Sequence, residues 1–173
     1  SLMRTLPNMT VINPADAKEA EEAVKAAVEY VGPVYIRLGR AAVDDIHGDD
    51  YKFQWGKGEV LRDGSDVAII ATGIMVGKAL EAADTLAKEG IQAAVVNIHT
   101  IKPLDEQLII DMAKKTGKVV TAEEATVMGG LGSAVAETLA RNCPTKQAFV
   151  GIQDTFGESG APADLLKKYG LTA

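Results

Sequence analysis

Cysteine is almost missing from this chain: Cys143 is the only one in 173 residues. One thiol excludes an internal disulfide and any multi-cysteine metal site, and it fits a reducing cytoplasm. Histidine is scarce too, with only His47 and His99, so imidazole-based catalysis has few candidates. Long apolar runs are absent. Val67–Ala71, among the longest, falls far short of the roughly 20 residues that a membrane span needs. No basic-then-apolar signal segment opens the chain. Positive charge is in deficit, 18 Lys and Arg against 24 Asp and Glu, for a net charge of −6. Such a surface repels phosphate backbones and no basic cluster offsets it, which excludes nucleic acid as a partner. Glycine and proline together make up about 13 % of residues, well below a low-complexity composition.

What is present is an ordinary globular composition, 47 % hydrophobic and 24 % charged, long enough for one or two domains. Met9–Asn13 is a short, partly β-branched run. Asn13 then suits a helix N-cap and Pro14 the first helical position. Ala17, Ala20, Val24, Ala27, Val28 and Val31 recur at helical spacing and form one apolar face. Gly32-Pro33 ends that helix, and Pro33–Leu38 reads as a strand running into Gly39-Arg40. This strand–helix–strand unit is too small to bury both faces of a sheet. Between Ala41 and Phe53 the periodicity vanishes among Asp44, Asp45, Asp49 and Asp50, which reads as an interdomain linker.

Beyond it, strand signals over 56–61, 67–72, 93–98, 118–122 and 147–152 alternate with helical ones. The helices are expected over 76–88, 105–114, 131–141 and 162–169. Short continuous apolar strands between amphipathic helices predict a three-layer α/β domain with a mostly parallel sheet. We therefore expect residues 1–40 to be a remnant of one domain, 41–54 a linker, and 55–173 a complete second domain.

Candidate chemistry is sparse. Gly129-Gly130-Leu131-Gly132 opens a helix after a strand but lacks the third glycine of a dinucleotide loop, so a tight turn with close helix–sheet approach is the expected role. A phosphate or carboxylate on its free amides is the alternative. Glu123-Glu124 sits at a strand's carboxyl end, where open α/β sheets place ligands. Acid, base or metal-ligand work is one reading; a helix-dipole or interface role is favoured over it. His99 lies just past a strand, His47 reads as a solvated linker residue, and Cys143 as a packed thiol. Arg37, inside its strand, is expected to be half-buried. Arg40 is better placed for function, directly after a strand and Gly39, with a guanidinium suited to bonding two phosphate oxygens at once.

Four segments carry a resemblance: Pro7–Val11 with Pro14–Ala17, Gly32–Arg40, Lys102–Asp105 and Phe156–Gly160. Together they resemble the C-terminal part of transketolase, most closely the C-terminal subunit of split transketolases, along essentially the whole chain. Lys102–Asp105 is shared with related thiamine enzymes. The resemblance implies that residues 1–40 end a pyrimidine-binding domain and that 55–173 form the family's C-terminal domain. It implies an intact cytoplasmic enzyme that moves a two-carbon ketol unit between ketose and aldose phosphates. That enzyme would use thiamine diphosphate and a divalent metal (Mg or Ca), as a homodimer or a heterotetramer with an N-terminal subunit. The cofactor site and the catalytic residues should lie upstream, so this stretch alone is expected to bind no cofactor and to be inactive. Glu123 and Glu124 lie in the wrong domain to be the cofactor-activating glutamate. By position, Arg40 corresponds to the arginine that binds the sugar phosphate.

Ser1–Arg4 resembles sequence internal to the family, which implies a longer polypeptide, cut or shortened by design. Two alternatives remain at this point. One is a sibling enzyme, a deoxyxylulose phosphate synthase or a 2-oxoacid dehydrogenase β subunit. The other is a free-standing, non-catalytic binding or regulatory module.

Overall fold

The computed structural model describes residues 1–173. The chain begins with α1 (Leu2–Thr5), β1 (Thr10–Ile12), α2 (Ala17–Glu29) and β2 (Val34–Ile36). After a stretch without regular structure come β3 (Glu59–Arg62), β4 (Val67–Ala71), α3 (Met75–Lys88), β5 (Ala93–Asn97) and β6 (Thr100–Lys102). The chain ends with α4 (Glu106–Thr116), β7 (Lys118–Thr126), α5 (Leu131–Asn142), β8 (Lys146–Ile152) and α6 (Pro162–Lys168). No helix is long and apolar enough to cross a membrane.

Five strands form the main sheet in the order β3-β5-β4-β7-β8. The strands β5, β4, β7 and β8 run parallel, and β3 closes one edge antiparallel to β5. The expected mostly parallel α/β domain is what forms. Alternate residues of the central strands serve opposite faces. Ile70, Val96, Ile109, Leu131 and Val135 make one apolar layer beneath α4 and α5. Ile69, Val95, Met75, Val76 and Leu171 make the other, beneath α3. Since β4 and β5 are covered on both sides, they are apolar at every position but Asn97 at the end of β5, and neither carries a charge.

Two local readings are corrected. Helix α2 starts three residues later than expected, with Asp16 rather than Asn13 as its N-cap. Asn13 is committed elsewhere: its N–H donates to the His99 carbonyl (2.7 Å), and its own carbonyl accepts from the Gly73 N–H and Thr72 Oγ1 (3.2 Å each). Strand β6 was not foreseen. It pairs antiparallel with β1, opposite Val11 and Ile12, so the small sheet β2-β1-β6 joins both parts of the chain.

The apolar face of α2 is real but uncovered. Val24, Val28 and Val31 are 47 %, 80 % and 97 % exposed, whereas Glu19 and Ala23 turn inward and are fully buried. An amphipathic helix normally buries its apolar stripe. Here Val24, Val28 and Val31 stay open, while Ala17 and Ala20 at the start of the stripe line a hollow with Leu38 and Gly39.

Candidate functional site

The carboxyl ends of β4 and β7 meet β2 along one seam, and most of the residues singled out from sequence cluster near it. Strand β7 is longer than expected, but its pairing with β8 shifts between Ala122 and Thr126. Such an irregularity re-aims side chains, and Glu123 and Glu124 fall within it.

These two neighbours separate completely. Glu123 is buried, and its carboxylate accepts from the amides of Leu131 (2.9 Å) and Gly132 (2.8 Å) at the start of α5. It is the anion on that helix N-terminus, the favoured helix-dipole role. The glycine run makes room for it. A Cβ on Gly130 would lie 2.0 Å from Glu123 Oε2, and one on Gly132 would lie 2.5 Å from Phe149. Gly129 has φ of +79°, a left-handed conformation that glycine adopts without strain. The tight turn and close approach expected of this run are therefore present, and two of the amides thought open to a ligand are taken.

Glu124 stays partly exposed. Arg37 Nη2 donates to its carbonyl (2.8 Å) and lies 3.6 Å from Oε2, while the Arg37 N–H donates to the Ile12 carbonyl (2.8 Å). Arg37 is half-buried, as expected. Three residues on, Arg40 is exposed and lines a cleft of about 300 Å³ with Glu124, Glu158, Leu165, Tyr169 and Leu171. The cleft thus has one wall from the end of the first unit and another from the C-terminal segment that includes Phe156–Gly160.

His47 is a correction. It is not solvated: its side chain is 3 % exposed, with Nδ1 2.9 Å from Asp16 Oδ2 and Nε2 3.1 Å from Glu59 Oε2. The reason lies in the α2 N-cap. Asp16 Oδ1 accepts from the Glu19 amide (2.8 Å), leaving Oδ2 to accept from the amides of Ile46 (2.8 Å) and His47 (2.7 Å). The acidic segment is consequently pinned to the helix. Burial pushes the Asp16 carboxyl up, but these amides outweigh it and hold it below its ordinary value.

Glu19 completes the cluster. Its carboxylate accepts from the Ala15 amide (2.7 Å), Tyr51 OH (2.7 Å) and Asn97 Nδ2 (2.8 Å). Burial raises its pKa despite these bonds, and burial with the nearby Glu19 raises that of Tyr51. Sequence reasoning missed this group. The available signal was Asp16-x-x-Glu19, a capping-box spacing.

His99 is buried, with Nδ1 2.7 Å from Thr100 Oγ1 and its ring 4.3 Å from that of Phe53. Burial, and then repulsion from His47, lower its pKa to about 4, so it is neutral at pH 7. Cys143 packs partly buried against the core.

Comparison with known proteins places this geometry. The family model for the transketolase C-terminal domain matches residues 56–173, and that for the transketolase pyrimidine-binding domain matches residues 1–45. A 6-deoxy-6-sulfo-D-fructose transketolase subunit of Clostridium sp. (strain MSTE9) is 50 % identical over the whole chain, which covers 54 % of that protein. A 1-deoxy-D-xylulose-5-phosphate synthase of Heliobacterium modesticaldum is 42 % identical over the whole chain, which covers 27 % of it. A solved structure described as a split gene transketolase, inactive beta4 tetramer, superposes with a TM-score of 0.96 at 54 % identity. It is matched over 99 % of this chain and 56 % of its own. The chain thus spans about half the length of the transketolase subunits it matches.

Proposed function

Because the chain belongs to the transketolase family, we propose that it is the part of a two-carbon ketol transferase that grips the phosphate end of the sugar substrate, through Arg40. The observation that carries this reading is the position of Arg40: exposed, just beyond β2, on the wall of a cleft between the two units. A guanidinium there bonds two oxygens of a dianion while the reacting carbon sits elsewhere, so its contribution is binding and orientation.

Carbanion chemistry in such enzymes is supplied by thiamine diphosphate with a divalent metal. The side chains of this chain do not compose that site. No group of His, Cys, Asp and Glu side chains is arranged to hold a metal ion, the Asp16–Glu19–His47–Glu59 cluster being engaged in its own hydrogen bonds, and Glu123 already occupies amides at the start of α5. We assign the cofactor's donors to polypeptide preceding this stretch and to a partner subunit carrying the diphosphate-binding site. The open apolar face of α2 is the natural seat for the remainder of the pyrimidine-binding domain.

A deoxyxylulose phosphate synthase is the second reading, favoured by the 42 % identity to proteins of that name. The transketolase subunit stands ahead of it at 50 %. The test is Arg40→Ala in the full-length polypeptide assembled with its partner. Losing a charge-assisted bond costs about 1.5–3 kcal/mol, or about 10- to 150-fold, expected as a higher KM for phosphorylated acceptors. Glycolaldehyde, which has no phosphate to hold, should be used as before. An equal loss on both acceptors would show that Arg40 supports structure and does not hold substrate.

A further inference from the structure

We propose that Glu124 is a specificity residue of the Arg40 cleft: a fixed negative charge, tethered by Arg37, that limits how much negative charge the substrate's end group carries. The inference rests on the assignment of Arg40 to that end group. It gives the second unit, which contributes Glu124, a part in substrate choice.

Two carboxylates line the cleft, and they differ in what already engages them. Glu158 pairs with Lys168 (2.5 Å) and accepts from Tyr169 OH (3.0 Å). Its charge is compensated within the C-terminal segment. The Glu124 carboxylate has Arg37 as its only ion-pair partner, and the 3.6 Å from Nη2 to Oε2 is too long for a hydrogen bond, since the guanidinium spends that donor on the Glu124 carbonyl. Its carboxylate therefore accepts no hydrogen bond from protein and keeps its charge for whatever enters the cleft. Arg40 is not in an ion pair with it or with any other carboxylate. Glu123, next in sequence, cannot take this role because both of its oxygens are held by α5.

Coulomb repulsion scales with the charge of the incoming group. A phosphate carries about −1.5 to −2 at pH 7, a sulfonate a single charge, and a hydroxyl none. Glu124 therefore opposes these end groups in that order, against the attraction of Arg40. Arg37 softens the opposition by standing beside Glu124.

The experiment measures KM and kcat in the assembled full-length enzyme for an aldose phosphate, its sulfonate analogue and glycolaldehyde. The variants are Glu124→Gln, Arg37→Met, the double variant and Arg40→Ala. Glutamine keeps the size of the side chain and the carbonyl that Arg37 holds. Glu124→Gln should lower KM for the phosphate about two- to fivefold, the range of a partly exposed charge pair, with a smaller fall for the sulfonate and none for glycolaldehyde. Arg37→Met should raise KM in the same charge order, and the double variant should fall between the two single variants, since it removes one charge of each sign. A structural role for these residues would instead lower kcat or raise KM alike on all three acceptors. Equal changes across the acceptors, or no change in Glu124→Gln while Arg40→Ala still discriminates phosphate, would overturn the role of Glu124 alone. If Arg40→Ala fails to discriminate phosphate, the reading of Arg40 falls and this inference with it.

Discussion

The core of the larger sheet and the seam beside α2 are held together in opposite ways. The core is dry: Ile70, Val96 and Ile109 are fully buried among other apolar side chains. The seam buries charge. Asp16 and Glu19 have fully buried carboxylates, each satisfied by several donors, with His47 between Asp16 and Glu59. Burial of apolar surface is tolerant of detail, whereas a buried carboxylate is stable only if every oxygen finds its donor. A change in the core should therefore cost volume, and a change in the seam should cost hydrogen bonds and respond to pH.

Substitutions in this chain test that contrast, by urea unfolding at matched pH. Ile70→Ala should have the largest effect, a loss of about 2–5 kcal/mol that does not depend on pH, as for any cavity in a packed core. Pronounced pH dependence of that loss would break the comparison. Glu123→Ala should follow at about 2–3 kcal/mol, because hydrogen bonds to a charged group are lost and the Leu131 and Gly132 amides remain buried.

Glu19→Gln should cost less, about 1–2 kcal/mol, since an amide oxygen in the place of Oε1 still accepts from Tyr51 OH and Asn97 Nδ2 while only the Ala15 amide is left facing the NH2. Its pH signature matters more than its size. The carboxyl of Glu19 is raised above its ordinary 4.5, so its titration favours the fold below 4.5 and that favour is lost as pH rises through the folded value. The advantage of the wild type over Glu19→Gln should be full below pH 4.5 and shrink as the pH rises above it. Asp16, lowered below its ordinary 3.8, works the other way: its contribution is present above 3.8 and is lost as pH falls through the folded value. Asp16→Asn should therefore cost more at neutral pH than in acid. Parallel profiles for the two variants would refute the assignment. The smallest effect is expected for Val28→Lys, under about 0.5 kcal/mol, because this side chain is 80 % exposed here. In the full-length polypeptide the same change should lower stability or yield, as circular dichroism melting would record.

The sequence was legible where one physical requirement repeats along the chain. Strands such as Val67–Ala71 and Ala93–Asn97, and helices such as Met75–Lys88, follow from apolar continuity and from 3.6-residue spacing. Strand β6 left no such trace. It has three residues, and it exists because β1 offers an edge, a partner nearly 90 positions away. The segment around His47 has no periodicity because its order comes from Asp16 and Glu19, which read locally as a helix start. Arg40 and Glu124 could each be singled out from a place at or just after a strand end, but their meeting with Glu158 in one cleft could not, since a sheet irregularity and a C-terminal segment bring them together.

The antiparallel pairing of β6 with β1 has a consequence for how such chains recombine. Two units on a plain tether can be exchanged like beads, each with any donor's counterpart. Here Val11 lies opposite Lys102 and Ile12 opposite Thr100, so part of the first unit's sheet is encoded almost 90 residues downstream. A chimera joined anywhere between Ile36 and Glu59 inherits β1 from one parent and β6 from the other. Its fitness depends on whether those two short strands, with the His99 carbonyl that receives the Asn13 N–H, still match. Crossovers before Thr10 or after Lys102 keep both strands from one parent, and those are the positions where shuffled members of this family should survive.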